Sequence, residues 1–169
     1  MNLRILEERE AAIYQSLRLH GLKDNPEAFG STYEREAAFS LETVEDRIRP
    51  DEDRFVLGAF DEHGTLMGIV TFIRDKSPKI RHKGNVFGMY VTPGMRGKGV
   101  GRALMRELLV RAKQLNGLEQ LNLTVVSANG QARRLYESVG FRTFGTERRA
   151  LKWDGVYFDE DYMALRLRE

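Results

Sequence analysis

The spacing of apolar residues divides the chain into three stretches of different character. Near the amino terminus, residues 3–6 form a short apolar run that reads as a first strand. Behind it Ala12, Ile13, Leu17 and Leu19 recur at mixed helical steps, which predicts a helix ended by Gly21. Asn25-Pro26 places a capping residue before a proline suited to the first turn of a helix. Ser40 stands as a cap before Leu41, Val44 and Ile48, a helical stripe that Pro50 stops.

The period then changes. Residues 55–60 and 66–73 are strand-like and are joined by a polar segment, 61–65, so they predict a hairpin. Residues 74–84 read as a loop, and residues 86–91 as a strand running into Thr92-Pro93-Gly94. In residues 101–115 the positions Val100, Leu104, Leu108, Ala112 and Leu115 share one face, which predicts a strongly amphipathic helix closed by Gly117. A strand at 121–126 and a helix at 129–139 follow, the helix carrying Ala132, Leu135, Tyr136 and Val139 and leaving through Gly140. Residues 141–149 and 156–167 read as closing strands about Trp153-Asp154-Gly155, an Asp-Gly pair that favours a tight turn. This order predicts one α/β domain over residues 1–169, with a mixed sheet and helices on its faces.

Composition narrows the classes. A 41% hydrophobic and 31% charged chain of 169 residues has the make-up of one ordinary globular domain. The 27 basic and 25 acidic residues leave a net charge of +2, so neither a nucleic-acid nor a membrane-surface partner is expected. With no cysteine, thiol nucleophiles and thiolate metal sites are excluded. His20, His63 and His82 lack metal-ligand spacing and read as surface residues, so no metal is expected. The early charges of the amino terminus and the absence of a long apolar run predict neither a leader nor a membrane span, and a cytoplasmic location.

One segment bears chemistry. Arg96, Gly97, Lys98, Gly99, Val100 and Gly101 lie between a strand and the start of the amphipathic helix. The first N–H groups of a helix and its positive dipole end attract anions, and glycines let a phosphate approach the backbone. Arg96 and Lys98 add charge, which points to a pyrophosphate site; a glycine-rich turn that merely links strand to helix is the other reading of these residues. A Walker loop is excluded because Gly101 is followed by Arg102, and the glycine spacing differs from that of a dinucleotide turn.

Val91-Thr92-Pro93 followed by residues 96–101 resembles the acyl-CoA signature of the GNAT superfamily. Asn129, Ala132, Leu135, Tyr136, Gly140 and Phe141 are similar to its second motif. The resemblance is residue-specific over positions 86–141. It implies a central, mostly antiparallel twisted sheet of about seven strands flanked by about four helices, and acetyl-CoA as cosubstrate without a metal. It further implies that Met89, Tyr90 and Val91 lie along the pantetheine arm and that residues 96–101 with Arg102 hold the phosphates. Asn129 is implied to bond the arm, and Tyr136 to bind there and protonate the departing thiolate. Each has a second reading from the residues alone: Asn129 as a helix cap, Tyr136 as a core aromatic, and residues 89–91 as core.

The implied reaction is direct attack by a primary amine of a small molecule or peptide on the thioester, in a monomer or homodimer. A non-catalytic acyl-CoA-binding sensor is the alternative. Gly84-Asn85-Val86-Phe87-Gly88 contains no carboxylate where many relatives have a glutamate, so a water relayed by Asn85 or by backbone carbonyls is the expected base. Glu34 and Glu36 are read either as a solvated helix face or as recognition of a cationic acceptor. The same choice holds for Asp154, Asp159, Glu160 and Asp161.

Overall fold

The computed structural model describes residues 1–168. Seven strands form one sheet: β1 (Asn2–Ile5), β2 (Arg54–Phe60), β3 (Leu66–Arg74), β4 (Lys83–Val91), β5 (Gln120–Val126), β6 (Arg142–Trp153) and β7 (Val156–Arg166). Their order is β1-β2-β3-β4-β5-β7-β6. Every neighbouring pair is antiparallel except β4 and β5, whose parallel pairing needs the crossover helix between them.

Helices cover both faces. On one side α1 (Ala11–Asp24) and α3 (Leu41–Ile48) bury Tyr14, Leu17, Val44 and Ile48 against Val56, Phe60 and Ile69. On the other, α4 (Val100–Gln114) and α5 (Gly130–Ser138) bury Leu104, Met105, Leu108 and Tyr136 against Leu57, Phe72, Leu121 and Met163. The α4 stripe is the one expected from its spacing. Ser40 caps α3 as expected, its Oγ accepting from the Thr43 N–H at 3.1 Å. The Asp154-Gly155 turn takes left-handed φ values of 49° and 76°, the geometry that an Asp-Gly hairpin favours.

Three expectations are corrected. Gly21 does not end α1, which continues to Asp24. A Cβ at Gly21 would lie 3.0–3.2 Å from the Tyr90 and Phe29 rings, so the glycine serves close helix–sheet approach. The buried stripe of α1 is Ala11, Tyr14, Leu17, Arg18, Gly21 and Leu22, while Ile13 is 45% exposed. Asn25-Pro26 opens only a single 3-10 turn, Pro26–Ala28, and the Asn25 side chain does not cap it. A fifth helix, the short α2 (Tyr33–Ala37), has no apolar stripe of its own, and its start is set by Thr32, whose Oγ1 accepts from the Arg35 N–H.

Candidate active site

The parallel ladder between β4 and β5 lasts only three pairs, Lys83↔Gln120, Gly84↔Leu121 and Asn85↔Asn122. Gly88 then adopts φ +60°, and the β3–β4 register shifts between Ile69 and Thr71, so β4 bends away from β5 as a bulged strand does. Beyond the bulge β4 keeps its ladder to β3, through Ile69↔Tyr90 and Gly68↔Val91, and the Thr92 N–H donates to the Met67 carbonyl. Strand alternation therefore turns the N–H groups of Met89 and Val91 toward the gap.

A cavity of about 510 Å³ opens at this gap. Its walls are Met89, Tyr90 and Val91, the end of β5 with Asn129, the loop before α4, and Phe29 from the amino-terminal side. Arg96, Gly97, Gly99, Val100, Gly101 and Arg102 all lie in the lining. Gly97 and Gly99 have φ values of +74° and +82°, conformations that suit glycine, and a Cβ at either would meet nothing within 4 Å. The first backbone bond of α4 runs from the Ala103 N–H to the Gly99 carbonyl, which leaves the N–H groups of Val100, Gly101 and Arg102 without helical acceptors. Open space, left-handed glycines and a helix amino terminus thus coincide.

Arg96 is built into the frame of this loop. Its Nε donates to the Val91 carbonyl at 3.0 Å, its Nη2 to Asn25 Oδ1 at 3.1 Å, and its guanidinium stands 5.4 Å from the Tyr90 ring centre. Tyr90 is buried; burial, then the Asp24 carboxylate that its hydroxyl approaches at 3.4 Å, push its acidity constant up. Lys98 is exposed and lies outside the lining, its Nζ 4.0 Å from the Met95 sulfur.

Asn129 caps α5, its Oδ1 accepting from the Ala132 N–H at 3.2 Å, and it also lines the cavity. Tyr136 sits in the main core, packed edge-on against Phe141 with ring centres 6.2 Å apart, and is not among the lining residues. Burial pushes its hydroxyl up to about 12.

Asn85 departs from its expected place. It lies in the paired part of β4, four residues before Met89, or about 13 Å along an extended strand. Its Nδ2 donates to Asp75 at 3.2 Å, and it does not line the cavity. Glu36 is neither solvated nor available to a cation: it is 1% exposed and bound by Arg18 and Arg47. Asp161 is likewise taken, accepting from Ser127 and Thr146. Sequence reasoning missed Phe29, Phe158 and Glu27, which reach the lining through tertiary placement alone. The bulge at Gly88 had one local signal, a glycine inside the strand predicted over residues 86–91.

A mixed sheet that splays beside a glycine-lined helix amino terminus gives an α/β protein whose cavity has the geometry to take an anion and an extended amide. The pattern of the acetyltransferase (GNAT) family matches residues 16–141, and the chain belongs to that family. It is similar to the mycothiol acetyltransferase of Propionibacterium freudenreichii, 34% identical over 115 residues, which are 66% of this chain and 36% of that protein. The chain thus spans about a third of that relative's length. Its fold is similar to that of a GNAT-family acetyltransferase from Streptococcus pneumoniae, with a TM-score of 0.86, 25% identity and 98% of each chain covered. The acetyltransferase yncA of Salmonella typhimurium, solved with its cofactor acetyl-CoA, superposes with a TM-score of 0.82 at 24% identity, over 100% of this chain and 95% of that one.

Proposed function

We propose that the chain is an N-acetyltransferase that binds acetyl-CoA between the α4 amino terminus and the open edge of β4 and acetylates a primary amine of a small molecule or peptide. The observation that supports this reading most is the meeting of two complementary features in one cavity. The helix terminus with Gly97 and Gly99 suits a pyrophosphate, and the unpaired β4 edge suits an extended, amide-bearing arm held as a strand would be. The neighbour solved with acetyl-CoA supports the choice of ligand.

When bound, acetyl-CoA supplies a thioester whose carbonyl carbon accepts the amine lone pair. The carbon–nitrogen bond forms, the carbon–sulfur bond breaks, nitrogen loses a proton and sulfur gains one, which yields an amide and a free thiol. The Met89 and Val91 N–H groups bear on the negative charge that develops on the carbonyl oxygen, an effect of about 3 kcal/mol per well-placed donor. Glu27, the carboxylate among the lining residues, is assigned the proton that the attacking ammonium must shed.

Tyr136 remains our assignment for protonating sulfur. At about 12 it stays protonated at neutral pH. A thiol resembling cysteine has a constant of about 8.5, so complete transfer from Tyr136 is uphill and donation of a hydrogen bond, with water completing the step, is favoured. The burial of Tyr136 outside the lining favours a second reading, acyl-CoA binding without turnover. Thiol release from acetyl-CoA, followed against amino acids, polyamines, aminoglycosides and peptides with free amino termini, separates the two. Amine-dependent release supports the enzyme; saturable acetyl-CoA binding with no release from any amine rejects it in favour of the binding module.

A further inference from the structure

The amino-terminal side of the gap carries a buried cation with an unspent donor. Arg18, 7% exposed on α1, uses Nε and Nη2 in a fork on the two Glu36 carboxylate oxygens, at 3.0 and 3.1 Å. Glu36 also receives Arg47 Nη1 at 2.5 Å. Two guanidinium charges against one carboxylate leave this cluster with a surplus positive charge. Glu36 would be neutralised by Arg47 alone, so the charge of Arg18 exceeds what the ion pair requires. The remaining nitrogen of Arg18, Nη1, donates to no residue among those described. It is not among the sealed, partnerless atoms of the described residues, so this N–H is open to solvent or to a ligand.

The place where Nη1 points is equally specific. It lies 2.9 Å from where a Cβ on Gly88 would stand, so any side chain there would cover it. Gly88 is the left-handed bulge residue of β4, immediately before Met89. The Arg18 guanidinium carbon stands 4.9 Å from the centre of the Phe29 ring; Phe29 and Met89 line the cavity, and Arg18 and Gly88 adjoin that wall without being part of the lining. Adjacent Cα atoms are about 3.8 Å apart, so a group beside Gly88 and one opposite the Met89 or Val91 N–H are separated by roughly the span of a small amino acid.

We propose that Arg18 Nη1, uncovered at Gly88, is the recognition point for an acceptor that carries a carboxylate, so that the amine substrate is a free amino acid rather than a polyamine or an aminoglycoside. This rests on the acyl-transfer reading and narrows it to one substrate class. The carboxylate takes the unspent N–H and the surplus charge, while the amino group of the same molecule reaches the thioester at the open β4 edge. Charge-assisted bonds to a preorganised guanidinium strengthen such recognition.

The test is a set of matched pairs, each a free L-amino acid and its carboxamide, assayed for thiol release at saturating acetyl-CoA. The carboxamide is the less basic amine and has more free base at neutral pH, so intrinsic reactivity favours it. The expected result is that kcat/KM favours the acid in the best pair by about 10- to 100-fold, with the difference in KM, as befits a charged hydrogen bond. Arg18→Lys, which keeps a cation beside Glu36 and loses the fork, should reduce that preference to within about threefold. Acids and carboxamides used equally, or carboxamides preferred in every pair, would overturn the proposal and leave acyl transfer standing. If no amine is turned over, the acyl-transfer reading itself fails. Calorimetric titration of wild-type protein with the same pairs then decides the carboxylate site: tighter acids uphold it and equal binding removes it. The titration also decides the matter should the Arg18 variant not fold.

Discussion

Replacing Glu36 by glutamine isolates the energy of the buried ion cluster. Burial by itself pushes the Glu36 carboxyl up, but the hydrogen bonds and charge of Arg18, joined by Arg47, outweigh it and hold the group at about 2 against an ordinary 4.5. At about 1.4 kcal/mol per pH unit, that interval amounts to about 3 kcal/mol of folding stability. Breaking a buried pair by removing one partner costs about 3–5 kcal/mol, and partial exposure of Arg47 places this case at the low end. Because the folded-state value is depressed, the contribution is complete above about pH 4.5 and is lost as pH falls toward 2. For a domain of this size each kcal/mol moves the Tm by about 2–4 °C, so Glu36→Gln should melt about 6–12 °C below wild type at pH 7. Melting followed by circular dichroism from pH 7 down to pH 2.5 should show the difference narrowing below pH 4.5. A variant within 2 °C of wild type at neutral pH, or a gap that does not change with pH, would refute the ledger.

Three further outcomes test the cavity. Gly99→Asp should abolish the rise in Tm that acetyl-CoA produces, since a side chain and a negative charge would enter the open space before α4; undiminished stabilisation would move the phosphates elsewhere. Asn129→Asp keeps the oxygen that caps α5 and removes the amide donor, so calorimetry should show weaker acetyl-CoA binding with the Tm held, whereas Asn129→Ala should also lose about 1 kcal/mol of stability. Unaltered affinity in both would reduce Asn129 to a cap. Tyr136→Phe should retain acetyl-CoA affinity and slow turnover by about 10-fold, the loss of one hydrogen bond to the departing sulfur while water still completes the protonation. Since Tyr136 is raised from 10 to about 12 by burial, wild type should lose stability as pH climbs from 10 toward 12, and the variant should lose less, by Tyr136's share, with Tyr90 still contributing in both. Unchanged turnover would make Tyr136 a core residue only.

Features with a short-range cause were legible in the chain itself. The stripe of α4 follows from a 3.6-residue period, the Ser40 cap from one hydroxyl and one N–H, and the Asp154-Gly155 turn from residues that tolerate positive φ. The glycine-rich loop before α4 belongs with them, because a helix amino terminus and glycines adjacent in sequence are sufficient to make it. What depends on partners distant in sequence was decided only by the tertiary structure. Asn85 and Met89 share one strand, yet one pairs with β5 and the other faces a gap, since the ladder ends at Asn85 and the bulge at Gly88 parts the strands. Glu36 and Glu34 are two residues apart on one short helix, yet Glu36 is sealed between arginines from α1 and α3 while Glu34 stays in water. Tyr136 occupies a motif position and still points into the core. Local periodicity determines which faces a segment has; what each face meets is set by strand order and register, which no single segment encodes.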